Sequence, residues 1–250
     1  MDWQKKLRDV SAKKAALDAL RPLPPAVLIN LQEWFRIETT YTSNALEGNT
    51  LTSSETAIVV EKGLTIGGKT VREHLEAINH AHAFDYIVTM AAKDPQHVSL
   101  REIRSLHQLV LKGIDDAHAG GWREVHVQVS GSVYEFPPPW KVAELMDEFE
   151  SWLKSSKEHP VVVAAEAHLR LVTIHPFVDG NGRTARLLMN LLLLQAGYPP
   201  AMIYPNIRAR YIDSLVQAQQ FEDADRFMEL IIEAVDGSLD IYLRNGRKQP

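Results

Sequence analysis

The sequence predicts a mainly α fold interrupted by a single β-hairpin. Apolar residues recur at helical spacing through most of the chain, and Gly and Pro divide it into segments of helix length. The period changes to two only once, near Val125. Hydrophobic residues make up 45% of the 250, charged ones 24%, and the net charge is −5. Such a chain can bury a sizeable core and has no general affinity for nucleic acid backbones. It contains no cysteine, which excludes disulfides, thiolate catalysis and cysteine-bound zinc and suits a reducing compartment. The stretch from Met1 to Pro22 is charged throughout and lacks the apolar run of a secretory signal. The most apolar segment, Leu187 to Leu194, contains Asn190 and falls far short of the roughly twenty residues of a membrane span. A soluble cytoplasmic protein, binding neither membrane nor nucleic acid, is expected.

The elements follow in order. Val27, Leu31, Trp34, Phe35 and Leu46 set the amphipathic pattern of a helix from Pro25 to Glu47, stopped by Gly48. Thr52 and Glu55 have capping-box spacing and open a helix that ends at Gly63. After the Gly67–Gly68 turn a longer helix spans 71–92 and breaks at Asp94–Pro95. Ser99 and Glu102 form a second capping box, starting a helix to Lys112. Beyond Gly120–Gly121, Val125, Val127 and Val129 alternate with His126 and Gln128, a strand pattern. Ser130–Ser132 can turn, and Val133–Phe136 can return as the second arm before Pro137–Pro139. Helices then resume over 141–155, 161–174, 183–196, 208–221 and 224–243, and 244–250 reads as a frayed tail.

The stretch Ile174 to Arg186, between two apolar helices, concentrates chemical potential. Pro176 disfavours α geometry at His175 and ends the first helix. Gly180 and Gly182 flank Asn181, and a Gly-Asn-Gly turn at a helix start aims several backbone N–H groups one way, making an anion nest. Arg183 and Arg186 share a face of the first turn, where each exposed cation opposes the helix dipole by about 0.3–1 kcal/mol. A bound polyphosphate removes that conflict. Asp179 would repel phosphate unless a cation intervened, and Mg²⁺ is the natural bridge. His175 titrates near neutrality and could accept a proton from a hydroxyl. Each feature alone is ordinary; the conjunction is not.

The stretch resembles the Fic (Fido) signature, H-x-F-x-[D/E]-G-N-G-R-x-x-R, with every specified position present. The resemblance implies a Fic helical core with a β-hairpin flap, and transfer of AMP from ATP to a Tyr, Thr or Ser hydroxyl of a target protein. It implies that His175 is the general base and that Asp179 holds Mg²⁺, for which Mn²⁺ could substitute. Asn181 and the backbone at Gly180 and Gly182, with Arg183, would cradle the phosphates. Arg186 would hold the γ-phosphate, and Phe177 would anchor the loop. Gly182 stands where the related kinases carry Lys, which favours AMP transfer over phosphorylation.

A second motif lies upstream. Glu47, in the last turn of its helix, faces the negative end of the dipole and wants a cationic partner. Ser43-x-x-x-Glu47-Gly48 resembles the family's inhibitory motif, [S/T]-x-x-x-E-[G/N], which implies that Glu47 pairs with Arg186 and that Ser43 pins the helix against the loop. The same resemblance sets the flap at 123–136 as the docking site of the target, implies a homodimer, and makes Tyr211 and Gln219 the adenine contacts. The expected organisation is an N-terminal helical region over 1–95 holding the inhibitory motif 43–48, a catalytic core over 96–243 with the signature loop 175–186, and a tail over 244–250. Two readings remain beside transfer: a phosphodiesterase that removes AMP, with Glu47 positioning water, and a non-catalytic interaction module. Zinc catalysis is disfavoured, since His80 and His82 have the wrong spacing for one helical face.

Overall fold

The computed structural model describes residues 3–93, 98–128 and 134–246. Among them the chain forms α1 (Trp3–Ala19), α2 (Pro25–Leu46), α3 (Ser53–Lys62), α4 (Val71–Ala92), α5 (Leu100–Leu111), α6 (Val142–Ser155), α7 (Pro160–Ile174), α8 (Asn181–Gln195), α9 (Arg208–Phe221) and α10 (Asp225–Gly246). No helix among the described residues is long and apolar enough to cross a membrane.

The architecture is organised around α8, which packs on α7, α4 and α5. Leu187, Leu188, Met189, Leu191 and Leu193 are all essentially inaccessible, so beyond Arg186 this helix is apolar on most sides because partners cover them. The one polar side chain between Leu187 and Leu194 is satisfied. Asn190 Nδ2 donates to Ala201 O at 3.2 Å and Oδ1 accepts from Ala201 N at 2.8 Å. The helix α2 crosses α4 and reaches the start of α8, which brings the end of α2 to the signature loop.

Local signals act as expected at several boundaries. Thr52 and Glu55 exchange the reciprocal bonds of a capping box, and Gly63 ends α3 with φ of 65°. Ser99 and Glu102 do the same at α5. A third box, Thr70 with Glu73 at α4, follows the same spacing rule but was not anticipated.

Three expectations require correction. The segment before Pro22 was given no element, yet α1 forms and lies along α10. Val10 and Leu17 are buried, Trp3, Leu7, Ala16 and Leu20 pack partly buried against the core, and charge matching adds to the contact. Lys6 meets Glu229 and Glu233 at 2.7 and 2.5 Å, and Lys13 meets Asp236 and Asp240, each at 2.8 Å. Second, α10 continues through Gly246, so Arg244 and Asn245 are helical; 247–250 lie outside the described residues. Third, no strand forms among the described residues of the expected hairpin, 123–128 and 134–136; its turn, 130–132, and the adjoining arm residues 129 and 133 lie outside them. An isolated two-stranded ladder is marginal in water, and Val125, 54% exposed, has no second layer to pack against.

Candidate functional site

The site is built where α7 ends. His175 is the C-cap of α7 and takes left-handed φ and ψ of 52° and 57°, costly for a residue with a Cβ. Pro176 blocks the helical alternative, and Arg123 holds the result. Arg123 is 2% exposed. Its Nε donates to His175 O at 2.7 Å, Nη1 to Val125 O at 3.0 Å and Nη2 to Pro137 O at 2.5 Å. Its backbone N–H adds a bond to Pro176 O at 2.8 Å. One guanidinium thus joins both bases of the 123–136 segment to the turn that carries His175.

His175 Nδ1 lies 3.2 Å from Val172 O, so Nδ1 carries the ring proton and Nε2 the lone pair. Burial lowers the pKa of His175 to about 4, and the ring is neutral at pH 7. Phe136 packs against it with ring centroids 4.3 Å apart.

The loop itself is stapled from within. Asn181 Oδ1 accepts from Phe177 N at 3.0 Å and Nδ2 donates to Phe177 O at 2.9 Å. The Asn181 side chain is therefore committed to shaping the turn, and what this residue offers a ligand is its backbone. Phe177 is fully buried and stacks on His107, with centroids 3.6 Å apart and planes at 7°. His107 Nε2 is 2.8 Å from Asp179 O, and His107 Nδ1 accepts from Gly120 N at 2.8 Å. Burial lowers the His107 pKa to about 4. Gly180 has φ of 76° and starts α8, with its flank against His107.

Asp179 stands at the mouth, its side chain 44% exposed. Oδ2 accepts from Arg72 Nη2 at 2.6 Å, and Oδ1 accepts from Gly180 N at 2.6 Å. Burial works to raise its pKa, but the Arg183 charge, the Gly180 amide and Arg72 together hold it below the usual value. Arg183 is 2% exposed and thinly paired. Nη2 is 3.5 Å from Asp179 Oδ1, Nη1 is 3.4 Å from Glu76 Oε1 without hydrogen-bond geometry, and Nε and Nη1 have no acceptor among the described residues.

Arg186 is the opposite case. Nε donates to Ser43 Oγ at 2.9 Å, Nη2 to Ser43 O at 2.9 Å and to Glu47 Oε1 at 2.6 Å, and Nη1 to Tyr211 OH at 3.3 Å. Glu47 is the C-cap of α2, one residue beyond the last turn where the sequence set it. Gly48, at φ of 96°, redirects the chain after it. Burial by the cavity walls pushes the Glu47 carboxyl up, yet the Arg186 charge and hydrogen bond outweigh it and keep the pKa below normal. The carboxylate is nonetheless open on its cavity side, with 40% of the side chain accessible.

These groups surround one cavity of about 520 Å³. Glu47, His175, Asp179, Gly180, Asn181, Gly182 and Arg186 form its polar wall. Val172, Tyr211, Ile212, Leu215, Val216 and Gln219 form most of the other. Of the residues selected from the sequence, Arg183, Ser43 and Gly48 stand behind this lining. Tyr211 OH reaches His168 Nε2 at 3.0 Å, and Gln219 Nε2 makes a long 3.5 Å contact to Val172 O. A Cβ at Gly182 would overlap Glu47 Oε1 and lie 3.1 Å from Arg186 Nη1. Sequence reasoning missed Arg123, His107 and Arg72. An Arg opening an alternating segment and an Arg beside a capping box read as ordinary solvated positions, and a His in an amphipathic helix as an ordinary buried one.

Residues 97–193 match a family described as Fic/DOC. Among curated proteins, "Protein adenylyltransferase Fic" of Drosophila willistoni is 38% identical over 243 residues, and its namesake in Aedes aegypti is 37% identical. Each alignment covers 96% of this chain and 48% of the relative. The chain therefore spans about half the length of the curated relatives it matches. Among solved structures, a fragment of Fic-1 from C. elegans gives a TM-score of 0.88 at 31% identity, covering 97% of this chain and 72% of that one. A Fic domain containing signaling protein from Bacteroides thetaiotaomicron gives 0.86 at 26% identity, with 98% of each chain covered.

Proposed function

The chain belongs to the Fic/DOC family, and from that premise we propose that it is a protein adenylyltransferase, moving AMP from ATP to a Tyr, Thr or Ser hydroxyl of another protein. One observation carries the reading: His175, neutral and with its lone pair on Nε2, lines the same cavity as the Gly180–Gly182 turn and Arg186. His175 Nε2 takes the proton of the target hydroxyl as that oxygen attacks the α-phosphorus. The bond to the bridging oxygen breaks on the opposite side, and pyrophosphate leaves. The phosphates rest on the N–H groups at the start of α8. Arg183, buried with two unanswered N–H sites, supplies the charge beneath them, and Arg186 takes the γ-phosphate. Adenine lies against the apolar wall near Tyr211 and Gln219.

The donor set fits Mg²⁺. Among the described residues no group of three or more His, Cys, Asp or Glu side chains could hold a metal; of the two carboxylates lining the cavity Glu47 is held by Arg186, and Asp179 offers the hard oxygen at the mouth. Mg²⁺ commonly binds through one carboxylate, waters and substrate phosphates, so Asp179 would hold it together with ATP once Arg72 lets go. There it would neutralise charge on the phosphates.

In this reading the enzyme is restrained. Glu47 occupies the Arg186 fork that the γ-phosphate needs, and Ser43 fastens both to α2. Gly182 supports the same view, since any larger residue there collides with Glu47 in this arrangement. The open face of the Glu47 carboxylate, held ionised, also favours a reverse activity in which it orients water toward AMP on a modified protein. The target docks on the 123–136 segment, and a cytoplasmic homodimer over the divisions 1–95 and 96–243 completes the proposal.

Protein labelling from ATP marked at the α- or the γ-phosphate tests this, with wild type, Glu47→Gly and Glu47→Gly/His175→Ala compared. The expected outcome is α-label alone, strongest in Glu47→Gly and absent without His175. Transfer of γ-label would replace AMP transfer by a kinase, and equal labelling of wild type and Glu47→Gly would end the restraint.

A further inference from the structure

His107 makes no contact with the cavity, yet it meets the signature loop three times. It stacks on Phe177 at 3.6 Å, it lies against the flank of Gly180, and its Nε2 is 2.8 Å from Asp179 O. Its tautomer is dictated from the other side. Gly120 N donates to Nδ1 at 2.8 Å, so Nδ1 must carry the lone pair and Nε2 the proton, which then goes to the Asp179 carbonyl. Gly120 can approach this closely because it has no side chain: a Cβ there would sit 3.1 Å from Arg104 O.

The bond fixes a peptide that is otherwise free to turn over. In a trans peptide C=O and N–H point to opposite sides. With the Asp179 carbonyl turned to His107, the Gly180 N–H is turned away, toward Asp179 Oδ1 at 2.6 Å and the anion nest. Glycine accepts either sign of φ, so rotating the Asp179–Gly180 peptide meets no Cβ penalty. The rotated form would aim a carbonyl oxygen at the phosphates. It would also leave the His107 Nε2–H facing another donor in a buried place, with both unsatisfied. We infer that His107 is a positioning residue, which through its Nε2–H locks the Asp179–Gly180 peptide in the orientation that receives the nucleotide phosphates. The inference rests on those phosphates lying on the Gly180–Gly182 turn.

Two substitutions separate its bonds. Gln can place a donor where Nε2 stands, and Asn can place an acceptor where Nδ1 stands, while both lose the ring that stacks on Phe177. Made in the Glu47→Gly background, His107→Asn should weaken binding of a fluorescent ATP analogue about tenfold, measured with and without Mg²⁺, whereas His107→Gln should stay within about threefold of its parent. Equal affinities in the two variants, or the reverse order, overturn the inference while ATP binding by the parent stands. A Glu47→Gly protein that binds no ATP analogue overturns the nucleotide reading and the inference with it. Thermal melting shows whether both variants fold. If they do not, ¹⁵N-histidine spectra of the unmutated protein decide: an Nε2–H tautomer with slow proton exchange is expected, and an Nδ1–H tautomer overturns the role.

Discussion

Arg183 and Arg186 stand three residues apart at the start of one helix, both nearly inaccessible, at 2% and 5% exposure, and their surroundings differ completely. Arg186 is answered at every nitrogen, by Ser43, Glu47 and Tyr211. Arg183 has Nε and Nη1 without acceptors among the described residues. A buried cation with unanswered N–H groups is expensive, so under the proposed function the contrast separates two halves of one anion site. On that reading the half at Arg186 is filled by the protein's own carboxylate, and the half at Arg183, held only loosely by Asp179 and Glu76, is left for a ligand.

The largest effect that could break this contrast is catalytic. In the Glu47→Gly background, Arg186→Ala should lower initial rates of AMP transfer by about 10²–10³, the scale for removing one fixed transition-state contact. His175→Ala should cost about 10²–10⁴. Next comes nucleotide affinity, read by calorimetry. Arg183→Gln should weaken ATP binding by a similar factor with or without Glu47, because Arg183 is unfilled in both. Arg186→Gln should weaken it only when Glu47 is absent. Equal losses from Arg186→Gln in both backgrounds would mean that Glu47 does not compete with ATP.

Acidity sharpens the comparison from the stability side. His80 and His168 are fully buried near Arg186, and burial, then the arginine charge, lowers each pKa from 6.5 to about 3. Between those values the unfolded chain binds more protons than the folded one. Stability therefore rises with pH across the window and is lost as pH falls from 6.5 toward 3, by about 1.4 kcal/mol per group per pH unit. Urea midpoints should fall steadily through that range. The Glu47 carboxyl, held below 4.5 by Arg186, keeps its charge down to lower pH, so restraint should persist throughout neutral conditions.

The smallest effects come from steric coupling. Gly182→Ala should destabilise the wild type by about 1–3 kcal/mol through overpacking against Glu47, and should cost markedly less once Glu47→Gly has removed the obstacle. Additive denaturation energies in that cycle would show that Gly182 and Glu47 do not meet. Ser43→Ala, which removes one of the bonds to Arg186, should raise transfer only a few-fold.

The legible parts of the site were those whose meaning is local. The turn at Gly180–Gly182, the left-over charge of Arg183 and Arg186, and the helix-breaking pair His175–Pro176 all lie within one short stretch, where spacing determines which groups face together. Glu47 is a local anomaly, an acidic residue at a helix C-terminus, but alone it reads as a solvated Glu; the resemblance of 43–48 to an inhibitory motif singles it out. What escaped depends on distant partners. The α1 segment reads as solvated until the acidic face of α10 is set beside it. His107 looks like any buried helix residue until the loop from Gly113 to Gly121 folds back to present the Gly120 amide. The alternating valines at 125 and 127 reported β propensity correctly, but propensity does not supply a second strand or a layer to cover it.

Arg123 has one more consequence. Among the described residues the acceptors of its guanidinium are main-chain carbonyls, at residues 125, 137, 174 and 175. A clasp made that way takes main-chain atoms alone, and among the described side chains between its ends Phe136 is the one packed on the His175 ring. Under the proposed docking role, residues of that segment other than Phe136 can be exchanged to suit a new recipient protein while the main-chain position of His175 stays where the clasp sets it. Specificity and chemistry can then diverge at different speeds within one small fold, with a single buried arginine marking the seam between them.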